Sequence, residues 1–130
     1  MATKIIIVGH GTLALAFIDS IAMLAGAVDD TEVVGIEFSV DDSRDTLQEK
    51  IAAELIKFTG ENNHVIICCD MLGGSPFNAS YLLSQQYKFS IITGMNLPLL
   101  MELILTKDSY ETKEQLIELA EMTKDSIKVI

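Results

Sequence analysis

Lys4-Ile5-Ile6-Ile7-Val8-Gly9-His10-Gly11 is the stretch that decides the fold. Its apolar, β-branched centre is too short for a membrane span and reads as a strand covered on both faces, the signature of a parallel sheet between helices. Gly9 and Gly11 punctuate its end and set His10 where a strand gives way to a helix. Open α/β sheets place their chemistry outside the carboxyl ends of the strands, so His10 lies where a functional group belongs. Standing alone, Gly-His-Gly reads equally as a polar residue in a tight turn.

Outward from this run, four further β-rich segments follow: Val33 to Phe38, Val65 to Cys69, Phe89 to Thr93 and Ile127 to Ile130. Segments of helical period separate them. Leu13, Phe17, Ile21, Leu24 and Ala25 form one stripe, and Leu47, Ile51, Leu55 and Phe58 another. Leu82-Leu83 and Leu99-Leu100 anchor two short helices, and Leu116, Ile117, Ala120 and Met122 mark a fifth. This alternation predicts βαβ units. The second run carries Gly35 and Glu37, which places it towards an edge, and right-handed crossovers then give an α/β doubly wound, mainly parallel sheet in the order 2-1-3-4 with helices on both faces. The switch point opens a crevice between His10 and the loop that begins at Asp70.

The chain has 130 residues, a length that suits one domain over 1–130. Nineteen acidic against nine basic side chains give a net charge of -10, which repels a phosphate-rich polymer and argues against nucleic acid as a partner. No apolar run approaches the roughly 20 residues of a membrane span, and the amino terminus lacks signal-peptide features, so a cytoplasmic location is expected. Cys68 and Cys69 are adjacent and point to opposite faces of a strand, which reads as core packing, not a disulfide or a shared metal. No metal or other cofactor is expected.

Three segments follow strand ends on the crevice side: Gly9 to Thr12, Asp70-Met71-Leu72-Gly73-Gly74-Ser75-Pro76-Phe77-Asn78, and Gly94 to Pro98. In the second, Ser75 before Pro76 predicts a helix start with serine as the cap. Gly73 and Gly74 leave backbone amides open to a ligand, and a loop of this kind at a helix amino terminus can hold a phosphoryl group. A plain turn and cap is the alternative. Asp70 ends its strand much as His10 ends the first, so its carboxylate is placed to accept from imidazole Nδ1 and leave Nε2 free as a nucleophile. Asp70 as a simple cap is the competing reading. Gly9-His10-Gly11-Thr12-Leu13-Ala14 also matches a dinucleotide fingerprint, with Glu37 as the ribose acid, but this leaves the Asp70 to Asn78 segment unexplained.

Together, Gly9-His10-Gly11, the Asp70 to Asn78 segment and Gly94-Met95-Asn96-Leu97-Pro98-Leu99-Leu100 resemble the enzyme IIA component of mannose-family sugar phosphotransferase systems. The resemblance spans essentially the whole chain. It implies that His10 is phosphorylated by HPr and passes the group to a histidine of the IIB component, with Asp70 as orienter. Oxygen donors would be the amides of Gly73, Gly74 and Ser75, the Ser75 hydroxyl and, more weakly, Thr12. It further implies a homodimer that exchanges a short antiparallel edge strand, here Asp125 to Ile130. The membrane IIC and IID components would be reached only indirectly, leaving the chain peripheral to the membrane through the transporter complex. Some members fuse IIA to IIB, whereas a separate subunit is expected here. A phosphocarrier subunit for dihydroxyacetone kinase and a non-catalytic, phosphorylation-dependent regulatory module are the alternatives.

Met71 and Leu72 are expected to pack inward or into a dimer interface, or else to form an apolar contact for a carrier protein. Asp41, Asp42 and Asp45 precede a helix whose dipole they complement, with Asp42 or Ser43 as the cap. His64, at the amino end of the third run, is expected at a surface or turn. Met23, Met101 and Met122 are expected to fill the core or an interface.

Overall fold

The computed structural model describes residues 2–130; Met1, the first residue of the expected domain, lies outside them. Four parallel strands, β1 (Thr3–His10), β2 (Val33–Phe38), β3 (His64–Cys69) and β4 (Ser90–Thr93), form a sheet in the order β2-β1-β3-β4. Helices α1 (Leu13–Ala25), α2 (Arg44–Gly60), α3 (Ser75–Leu83), α4 (Leu97–Leu105) and α5 (Lys113–Lys124) cover it. The expected strand order is the observed one. β1 lies between both neighbours, with Val8 opposite Ile36 on one side and Cys69 on the other, so β1 and β3 end at the same rim.

Side chains alternate across a strand, and β1 accordingly feeds two cores. Ile5 and Ile7 pack with Ile21 of α1, Leu100 and Leu103 of α4 and Leu119 of α5, whereas Ile6 and Val8 pack with α2 and α3. The predicted stripe of α2, Leu47, Ile51, Leu55 and Phe58, is wholly buried. Each such side chain contributes about 1.5–3 kcal/mol by leaving water. Cys68 and Cys69 fall one into each core, and burial pushes both thiols up, Cys69 to about 11. They are free and protonated.

In two helices the buried face only partly overlaps the one their apolar spacing predicts: Phe17 and Ile21 of the α1 stripe and Leu116 of the α5 set pack on the core, and the rest differ. α1 buries Ala14 and Ile21 and leaves Leu13, Leu24 and Ala25 exposed. Gly35 is the cause: a Cβ there would stand 2.8 Å from Leu15 Cδ2 and 3.1 Å from Ile18 Cδ1, so α1 sits down on β2 at the one position without a side chain. α5 buries Leu116, Leu119 and Thr123, while Ile117 and Met122 are exposed. Thr123 can be buried because its hydroxyl donates to Leu119 O at 2.9 Å. Of the three methionines, Met101 is half-buried and Met23 and Met122 are exposed.

Residues 127–130 form no strand within the single chain, and Ile127, Val129 and Ile130 are exposed. The expected fifth strand has no pairing partner in its own subunit. Ser43 caps α2 in a reciprocal box with Thr46, and Asp42 is held well below the usual carboxylate range by Lys50, 2.8 Å away. His64 opens β3 at the rim opposite His10; it is half-buried, and burial pushes its imidazole down. Among the described residues no helix is long and apolar enough to cross a membrane.

Candidate active site

His10 is the last residue of β1, and its side chain is 47% exposed. Because β3 runs beside β1 in parallel register, Asp70 leaves the sheet at the same rim. His10 Nδ1 lies 2.7 Å from Asp70 Oδ2, and the His10 backbone N–H donates to that same oxygen at 2.8 Å. Met71 N–H donates to Oδ1 at 2.9 Å. Burial pushes the Asp70 carboxyl up, but the bonds from His10 backbone and ring, with that of Met71, outweigh it and leave the pKa lowered. An ionised carboxylate only accepts, so the proton of a neutral His10 sits on Nδ1 and Nε2 carries the lone pair.

The loop after Asp70 closes on the imidazole, nearest its Cε1 edge. Gly73 adopts φ 81°, a left-handed conformation that favours glycine, and Asn78 Nδ2 donates to its carbonyl at 3.2 Å. A Cβ at Gly74 would stand 3.0 Å from His10 Cε1, 3.1 Å from Met71 Cγ and 3.8 Å from Nε2. The missing side chain is what lets the backbone approach the imidazole. Gly74, and not Ser75, occupies the cap position of α3; Ser75 is the first helical residue and Pro76 the second, so the predicted serine cap is corrected. The gain is a free Ser75 hydroxyl, since a capping serine would have spent its oxygen on the helix.

Thr12 precedes α1, and its side chain makes no capping bond. Met71 and Leu72 are exposed at 55% and 70% in the single chain; they do not pack inward. The third segment supports the site from below: Gly94 turns at φ 74°, Met95 N–H donates to Cys69 O at 3.2 Å, and Met95 Cε lies 3.4 Å from where a Gly9 Cβ would be.

Sequence reasoning missed Phe38, whose ring meets that of His10 edge to face, with centroids 5.7 Å apart and planes at 71°. The signal was available, because Phe38 ends β2 as Asp70 follows β3, and the strand order puts both beside His10.

Comparison with known proteins gives this rim its setting. The family model for the PTS system fructose IIA component, EIIA-man, matches residues 4–121. The chain belongs to the EIIA-man family. It is 29% identical over 127 residues to the PTS system fructose-specific EIIA component of Bacillus subtilis, covering 97% of this chain and 85% of that protein. It is 32% identical over 133 residues to the PTS system mannose-specific EIIAB component of Escherichia coli, covering all of this chain but only 40% of the longer relative. The crystal structure of a phosphotransferase system component EIIA from Streptococcus agalactiae superposes with a TM-score of 0.84 at 31% identity, over 98% of this chain and 96% of that one. EIIA-man proteins are phosphotransferases of the phosphoryl relay in sugar uptake, and the match takes in the Asp70 to Asn78 segment that the dinucleotide reading left unexplained.

Proposed function

We propose that this chain, as a single IIA domain over residues 1–130, accepts a phosphoryl group from phospho-HPr on His10 Nε2 and delivers it to a histidine of a IIB component. The bond between His10 Nδ1 and Asp70 carries this reading. The Nε2 lone pair attacks phosphorus, the P–N bond of the donor breaks, and its electron pair stays on the donor imidazole. With Nδ1 still protonated, the His10 ring gains positive charge as the new bond forms, and the Asp70 carboxylate offsets it. Amides of Gly73, Gly74 and Ser75 at the start of α3 face the incoming oxygens, with the Ser75 hydroxyl beside them and Thr12 at the margin. Transfer to IIB repeats the exchange in the opposite sense.

The net charge of -10 favours carriers with basic surroundings around their own histidines. Sugar-system relatives favour this role over a subunit for dihydroxyacetone kinase or a regulatory endpoint. A IIA component meets only proteins and a phosphoryl group, so sugar selection resides in the membrane IIC and IID components, to which the chain is tied from the cytoplasm. The test is incubation with labelled phosphoenolpyruvate, enzyme I and HPr. Acid-labile label that moves to added IIB is expected. An unlabelled protein beside active carriers refutes the relay, and label that never leaves makes the chain a regulatory endpoint.

The same proposal includes a homodimer. An apolar groove of about 580 Å³ runs along the free edge of β4, lined by Leu72, Phe77, Ile91, Leu116 and Ile117 among others, and Ile127, Val129 and Ile130 of a second copy supply the strand that edge lacks. Removal of residues 125–130 is expected to convert a dimer to a monomer in sedimentation velocity. Dimers that persist would dismiss the exchange.

A further inference from the structure

We infer that Phe38 is a positioning residue for phosphoryl transfer, fixing the rotation of the His10 ring; this rests on the reading of His10 as the acceptor. The torsion that turns an imidazole about its Cβ–Cγ bond is broad, with no sharp staggered wells, so packing has to set it. One hydrogen bond at Nδ1 tethers a corner of the ring but leaves the opposite corner, Nε2, room to swing. Gly74 limits that swing on one side, where even a single added carbon would come within 3.0 Å of Cε1. Phe38 supplies the ring contact from the neighbouring strand.

Phe38 is well placed to act as a fixed stop. It is the register partner of His10 across β1 and β2, so both side chains stand on the same face of the sheet. Gly11 N–H donates to Phe38 O at 2.8 Å, and Gly11 turns there at φ 58°, tying the two strand ends together immediately beyond the histidine. The Phe38 ring is half-buried and packs on the core shared with α2 and α3. One side is thus anchored in the core while the other meets a half-exposed imidazole. With the ring held, Nε2 keeps one position beside Gly74, and a phosphoryl group can meet it in line.

The test pairs Phe38→Leu, which keeps apolar volume but removes the aromatic ring, with Phe38→Tyr, which restores it. Phe38→Met serves as a second apolar replacement if the leucine variant does not fold by circular dichroism. Transfer from phospho-HPr is followed by rapid quench, and the mobility of His10 Cε1 by carbon relaxation in the unphosphorylated protein. The apolar variant is expected to lose about 10- to 100-fold in kcat with KM for HPr unchanged. Its Cε1 order parameter should fall, and Phe38→Tyr should recover both. An unchanged kcat, a kcat loss with unaltered Cε1 order, or a rise confined to KM would each overturn the assignment. Wild type that takes no label would instead sink the relay reading, and the relaxation measurement alone would then decide whether Phe38 holds the ring.

Discussion

His10→Ala is expected to bring phosphorylation by HPr down to background, a loss on the order of 10⁴-fold or more, because among the described residues no other side chain is equipped to replace the nucleophile. His64 opens β3 at the opposite rim of the sheet. Cys68 and Cys69 are buried, and their thiols are pushed up, so neither presents a thiolate. Thr12 and Ser75 have hydroxyls near the site, but neither is hydrogen-bonded to a base that would activate it. The substitution removes a half-exposed side chain and leaves Asp70 with the amides of residues 10 and 71, so the stability change should stay near 1 kcal/mol. Acid-labile label in the variant at the wild-type rate would take His10 out of the reaction. Loss of label together with a native unfolding curve separates a missing nucleophile from a damaged fold.

The parts of this site that could be read in the sequence are those fixed by the sheet. An unbroken apolar run must be a central strand, Gly35 and Glu37 push β2 to an edge, and parallel register then carries His10 and Asp70 to one rim. The helix faces were less legible, because their orientation depends on partners distant in the chain. The stripe of α1 keeps Phe17 and Ile21 on the core but shifts towards Ala14 where the helix sits on Gly35 of β2, and Thr123 enters the core only because its hydroxyl can be satisfied one turn back. Ser75 misled for a related reason. Serine before proline fits a cap, yet Gly74 takes that position where the backbone must pass within touching distance of the His10 ring. Phe38 escaped attention because a phenylalanine ending a strand looks like core, and half of it is. Residues 127–130 have strand-like composition but no partner in their own subunit, a distinction that composition does not encode.

Asp70→Asn changes one atom in the carboxyl group, and its consequence follows from which donors that group serves. Oδ2 accepts from both His10 Nδ1–H and His10 N–H, while Oδ1 accepts from Met71 N–H. An asparagine has one acceptor oxygen. If that oxygen keeps the two His10 bonds, the new NH₂ confronts the Met71 amide donor; if it turns to Met71, the NH₂ confronts His10 and favours the tautomer with its lone pair on Nδ1. The first arrangement loses the negative charge that offsets the cationic phosphoimidazole, and the second takes the lone pair from Nε2. Either way, transfer from phospho-HPr is expected to slow about 100-fold with little change in KM. Rapid-quench rates check this, and a wild-type rate would dismiss the orienting role. The same variant carries a pH signature. Asp70 has a lowered pKa in the folded protein, so its contribution to stability is present above the ordinary carboxylate value of about 3.9 and is lost as pH falls through the lower folded value. Urea unfolding as a function of pH should therefore show a shallower acid limb for Asp70→Asn than for wild type. Parallel limbs would mean that the carboxylate is not ionised against His10 and Met71.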